Sequence, residues 1–182
     1  MNLLFNEIGN LPPERYEMTF NEAKTFFVDA FPDSETRLEN WNCFIEYVKN
    51  LITLGINDMQ IWIDGSFVTD KINPNDIDCV LYISVKLLNS LNKQQQSILS
   101  NVLVPQKRET HELIKQAFHT DPYLLLDVKD CPEHLNYHEI VKMKEYWEGW
   151  WGHDRQGNAK GYIILSVKGG RRALLYLPRI HG

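Results

Sequence analysis

Between Ile61 and Val85 the chain reads IWIDGSFVTDKINPNDIDCVLYISV, and this stretch restricts the fold more than any other. Ile61-Trp62-Ile63 is a short apolar run that stops at Asp64-Gly65-Ser66. A polar loop carrying Asn73-Pro74-Asn75 follows, and Asp76-Ile77-Asp78 then opens a second apolar run, Cys79 to Val85. Two β-rich runs of this length, bounded by Gly, Pro, Asn and Asp, predict two strands joined by a turn. Residues i and i+2 of a strand point to one face, so Asp76 and Asp78 are expected side by side. Adjacent carboxylates repel, and a cation between or above them removes that cost.

The remaining elements follow from periodicity and caps. Thr19 and Glu22 have capping-box spacing, which predicts a short helix running to about Ala30, before Pro32. Asp33-Ser34 can cap a longer helix in which Leu38, Trp41, Phe44 or Ile45, Val48, and Leu51 or Ile52 recur at helical spacing. Gly55 ends it. Arg37 near its start calls for a carboxylate or phosphate partner. After the second strand, Lys86 to Asn101 reads as one helix or two short ones. A further helix covers Arg108 to Phe118, with Leu113, Ile114 and Ala117 on its apolar side. Asp121 to Val128 reads as a strand with Pro122 at its start, where proline is tolerated. Tyr137 to Trp151 reads as a helix and Tyr162 to Val167 as a strand, with Ala173 to Leu177 a candidate for another. Trp147, Trp150 and Trp151 suit either a core-packing helix end or a stacking surface.

These elements describe a single domain over 1–182, of α/β (α+β) class, with a small mixed sheet flanked by helices. Residues 1–55 form a helical brace, 56–130 the core, and 131–182 a helix and a basic segment. A hydrophobic fraction of 43% over 182 residues supplies enough core without disulfides. Cys43, Cys79 and Cys131 are odd in number and lack CxxC spacing, so neither a disulfide framework nor a zinc site is expected, and the compartment reads as reducing cytoplasm. No signal peptide or membrane span is expected. From Arg155 onward stand six basic residues (Arg155, Lys160, Lys168, Arg171, Arg172, Arg179) and no acid. The whole chain has 19 basic and 24 acidic residues, so the first 154 residues carry a formal −11. Such a basic end suits either phosphate contact or simple charge balance, and the acidity of the whole argues against broad DNA coating.

Gly65-Ser66 at a strand end, nine intervening residues, and Asp76-x-Asp78 opening the next strand resemble the signature of the polymerase-β-like nucleotidyltransferase superfamily. In that pattern a third acid stands on a later strand. Asp121 best matches it, and Asp127 is the weaker candidate; about 20 Å of strand separates the two, so only one of them can join the pair. The wording Trp62-Ile63-Asp64-Gly65-Ser66-Phe67-Val68-Thr69, with Lys160-Gly161, resembles more narrowly a bacterial and phage group of minimal nucleotidyltransferases. The resemblance implies transfer of a nucleoside monophosphate from an NTP, such as ATP, to a hydroxyl on RNA, protein or a small molecule. It implies two magnesium ions on Asp76, Asp78 and Asp121, phosphate contacts from Gly65 and Ser66, and a place in a toxin–antitoxin or phage-defence module. Phe67-Val68-Thr69 stand where many members carry an arginine, so Lys71 or the basic tail must bind the triphosphate. The alternative is a catalytically silent relative acting as a binding or antitoxin subunit.

The chemistry agrees with these residue types. Magnesium takes oxygen ligands and retains waters, so a few carboxylates and substrate phosphates suffice. Glycine lets backbone approach a phosphate. Other readings are weaker. His111, His119, His134, His138 and His153 lack metal-site spacing and read as surface or core residues. Ser66 is not flanked like a nucleophile elbow, and a calcium loop starting at Asp70 fails at Ile72.

Overall fold

Alternating apolar side chains on the central strands give a sheet with two different buried faces. The computed structural model describes residues 5–105, 107–169 and 177. In chain order the elements are β1 (Arg15–Met18), α1 (Phe20–Lys24), α2 (Arg37–Leu54), β2 (Met59–Asp64), β3 (Ile77–Ser84), α3 (Val85–Ser90), α4 (Lys93–Ile98), α5 (Arg108–Phe118), β4 (Thr120–Asp127), α6 (Tyr137–Trp151) and β5 (Tyr162–Val167). The sheet has five strands in the order β1-β5-β2-β3-β4. β2 runs antiparallel to β3 and to β5, while β1 with β5 and β3 with β4 are parallel pairs. The architecture is therefore α+β, a mixed sheet flanked by helices. The β3–β4 crossover carries α3, α4 and α5, as a parallel connection requires.

On one face Ile61, Ile63, Ile77, Cys79, Leu81, Ile83, Ile163 and Leu165 pack with Trp41, Phe44, Ile45, Val48 and Leu51 of α2. On the other, Trp62, Val80, Leu125, Tyr162 and Ile164 form a smaller cluster closed by Trp151 of α6. The intervening positions of β2, β3 and β4 include Asp64, Asp78 and Asp121, which lie on this second face beyond the aromatic cluster.

Local signals set the helix ends. Thr19 and Glu22 form the capping box, and α1 continues into a π-helical turn over Thr25–Asp29. α2 starts later than its sequence suggests: Thr36 precedes it, and the Ser34 hydroxyl accepts the Arg37 N–H at 3.1 Å. Its end is set by Gly55 at φ 116°, a left-handed position that glycine adopts without strain. Leu38 is half-exposed and Leu113 more so, so both lie outside the apolar stripes expected to include them. β1 is not among the strands expected from sequence, because its pairing partner, β5, lies at the far end of the chain. Most of the expected strand Ala173 to Leu177, and Arg171, Arg172 and Arg179, lie outside the described residues.

Arg37 departs furthest from expectation. It is fully buried, and among the described residues no carboxylate forms an ion pair with it. Its guanidinium donates to the carbonyls of Phe27, Phe67, Thr69, Lys71 and Ile72 at 2.6–3.3 Å. Burial lowers its pKa to about 10, with Asp70 opposing the shift. A side chain with five donors in a fixed fork can gather a carbonyl-lined loop in this way. Arg37 thereby fixes the segment after Gly65-Ser66 against the start of α2. Among the described residues no helix is long and apolar enough to cross a membrane.

Candidate functional site

Register places three aspartates in one row. Asp64 on β2 pairs with Asp78 on β3, and Asp78 pairs with Asp121 on β4. Paired positions on neighbouring strands share a face, and strands lie about 4.8 Å apart, so the three carboxylates are close neighbours. Asp76, two residues before Asp78, joins the far end of this row through a lysine. The Lys115 ammonium lies 2.6 Å from Asp76 Oδ2 and 3.0 Å from Asp121 Oδ2. The structure thus brings Asp76, Asp78 and Asp121 together. Asp127 is paired with Ser84 at the other end of β4, so it does not join them.

The row is compensated unevenly. At one end Lys160, 5% exposed, sits 2.8 Å from Asp64 Oδ1 and donates to the Gly65 carbonyl at 2.8 Å. Burial raises the Asp64 pKa, and Lys160 and the Gly65 N–H oppose the shift. At the other end Lys115 serves two acids. Partial burial works against its charged form, but its hydrogen bonds to Asp76 and Asp121 prevail and hold its pKa well above normal. Asp78, in the middle, has an acid on either side. Burial, then Asp76 and Asp121, with a further contribution from Asp64, push its carboxyl up to about 6 against the pull of Lys115.

The Gly65 turn is built around Asp78. Gly65 has φ 69°, and a Cβ there would fall 1.8 Å from Asp78 Oδ2. No other residue fits this position without displacing the carboxylate. The turn continues as a 3-10 helix over Gly65–Val68, and the Ser66 carbonyl accepts from the Thr69 hydroxyl at 2.8 Å. Lys71 is exposed, and its carbonyl is held by Arg37. No contact between the Lys71 ammonium and the carboxylates is present among the described residues.

α5 contributes a second polar residue. His111, one turn before Lys115, has Nδ1 3.4 Å from Asp121 Oδ1 and Nε2 3.1 Å from the Pro122 carbonyl. A carbonyl can only accept, so Nε2 carries a hydrogen. Tyr123 packs against His111 at 5.4 Å and Trp147 at 4.9 Å between ring centroids, forming an aromatic wall beside Asp121. Burial, with Asp121 and Asp78, raises the Tyr123 pKa to about 12. Trp151 is buried while Trp150 is 62% exposed, so the three tryptophans divide between core and surface.

The donor set suits a hard divalent cation that keeps some of its own waters. Among the described residues Asp121 Oδ1 is buried and accepts no hydrogen bond, His111 Nδ1 standing 3.4 Å away, and the glycine turn leaves Asp78 free of side-chain crowding. A closed protein cage is another matter. Among the described residues, no group of three or more His, Cys, Asp or Glu side chains is arranged to hold an ion. Magnesium held by one or two carboxylates and substrate oxygens is compatible with that arrangement.

Asp64, His111 and Lys115 are additions to the residues expected from sequence, and Lys160 acquires a definite position. An acid directly before Gly65-Ser66 was visible in the sequence. The convergence of α5 on β4 depends on the parallel β3–β4 register, which no local pattern encodes.

The chain belongs to a family of unknown function, DUF6932, whose family model matches residues 3–166. No curated protein and no solved structure matches it.

Proposed function

We propose that this member of the family is a metal-dependent nucleotidyltransferase, moving a nucleoside monophosphate from an NTP to a hydroxyl of RNA, a protein or a small molecule. The observation that supports this reading is the meeting of Asp76, Asp78 and Asp121 beside the Gly65 turn, with one ammonium joining Asp76 to Asp121. Asp76 and Asp78 would hold magnesium, with Asp121 completing the set. The bound cation would supply charge stabilisation to the oxygens on the reacting phosphorus. The backbone of Gly65 and Ser66 orients the phosphates, and Lys71 or the basic tail neutralises the triphosphate. The acceptor oxygen bonds to the α-phosphorus as the bond to the β-phosphate oxygen breaks. Pyrophosphate departs with that electron pair, and Asp121 takes the hydroxyl proton.

The reading places the protein in a reducing cytoplasm, which its three free cysteines favour. Membrane attachment and broad DNA binding form no part of it. By analogy the pathway is a toxin–antitoxin or phage-defence module, with the other member of a toxin–antitoxin pair as a partner protein. A second reading, a silent binding or antitoxin subunit, is favoured by a different observation: Lys115 already partly neutralises Asp76 and Asp121.

Incubation of labelled NTPs with the protein, total RNA and total protein separates the two readings. The enzyme gives magnesium-dependent labelling of an acceptor, lost in Asp76→Ala and Asp78→Ala variants that remain folded. A silent subunit gives no labelling, and its biological effect survives Asp76→Ala.

A further inference from the structure

We propose that Lys115 is the second cation of this site, so that the protein holds a single divalent ion where its carboxylates would otherwise hold a pair. This rests on the nucleotidyl-transfer reading above and replaces one of the two ions expected from the resemblance.

Geometry carries the argument. The Lys115 ammonium touches one oxygen of Asp76 at 2.6 Å and one of Asp121 at 3.0 Å. An ion joining those two carboxylates through the same oxygens would need to lie about 2.1 Å from each. That is the space the ammonium fills, so Lys115 and a bridging ion exclude one another. Among the described residues no lysine contacts Asp78; its Oδ2 lies against the Gly65 backbone, where phosphates are expected to approach. The remaining ion therefore belongs on the Asp76–Asp78 side, and the Asp121 side is served by the ammonium.

Charge supports the same count. Three carboxylates and one ammonium leave a formal −2, which one divalent cation neutralises. Asp64 does not enter the sum, because Lys160 balances it. The lysine is also well placed to stay. It projects from the last turns of α5, which passes through a left-handed residue, His119 at φ 46°, directly into β4. Helix and strand thus hold Lys115 and Asp121 in a fixed relation. Lys115 itself takes no proton in the reaction; as a fixed positive charge it offsets the charge of Asp121 and of the reacting phosphate oxygens.

The test counts ions. Manganese is titrated into wild-type protein, Lys115→Met and Lys115→Arg, and free ion is followed by its paramagnetic resonance signal. Circular dichroism and thermal melts establish that each variant is folded. The expected stoichiometry is one ion per chain for wild type and Lys115→Arg, and two for Lys115→Met, with the line broadening of a close manganese pair. Two ions on wild type overturn the proposal without any variant. One ion on a folded Lys115→Met overturns it as well, since the lysine then excludes nothing. No binding by any of the three proteins overturns the metal-dependent reading itself and the proposal with it, so the two failures are told apart.

Discussion

Two lysine–carboxylate assemblies stand at the same end of the sheet, a strand apart. Lys160 with Asp64 is a one-to-one pair, almost wholly buried, and the same ammonium holds the Gly65 carbonyl. Lys115 with Asp76, Asp78 and Asp121 sets one cation against three acids and stays about one-third exposed. The first arrangement is complete in the folded protein, and its charge is used to fix the glycine turn. The second is left with excess negative charge, and burial together with the neighbouring acids pushes the Asp78 carboxyl up to about 6. A protein gains no stability from such a cluster, and carboxyls perturbed in this way gather at functional sites.

Breaking the balanced pair should have the largest effect. Lys160→Met leaves Asp64 buried without its counter-charge, and the loss is about 3–5 kcal/mol in denaturant unfolding. Next in size is Gly65→Ala, which combines a left-handed φ with a Cβ overlapping Asp78. It should destabilise by about 1–3 kcal/mol and abolish nucleotide transfer.

The unbalanced cluster should respond in the opposite sense. Because the folded-state pKa of Asp78 is raised, its favourable contribution is present below the unfolded value near 4. It is lost as pH rises through about 6. Asp78→Asn removes that dependence, so the variant should be more stable than wild type by about 1–2 kcal/mol at pH 7.5 and inactive. Paired denaturant curves at pH 4.5 and 7.5 measure the difference, which should shrink at the lower pH. A variant less stable than wild type at pH 7.5 would mean that the cluster is compensated after all. The smallest effect is expected of Asp127→Asn, at the other end of β4. It keeps an oxygen for the Lys129 N–H, so it should shift stability by no more than about 1 kcal/mol and leave transfer activity unchanged.

Much of this contrast could be read in the sequence, but only its acidic half. The Gly65-Ser66 turn, the Asp76-x-Asp78 pair and the strand opening near Asp121 are local patterns, and strands and turns are written locally. The bounds of α5 and α6 follow from periodicity in the same way. The lysines are different. Lys115 reaches Asp121 because α5 folds back onto β4, and Lys160 reaches Gly65 from 95 residues away in the chain. Arg37 shows the same limit: a cation at a helix start suggests an acid, whereas tertiary packing supplies five carbonyls. β1 needs its parallel partner from the opposite end of the chain before four residues can count as a strand.

The direct measurement is an anomalous difference map from crystals soaked in manganese. The account predicts a peak bonded to Asp78 beside the Gly65 turn and none between Asp64 and Lys160. A map with no peak at Asp78, or with the ion seated on the Asp64–Lys160 pair, would contradict it.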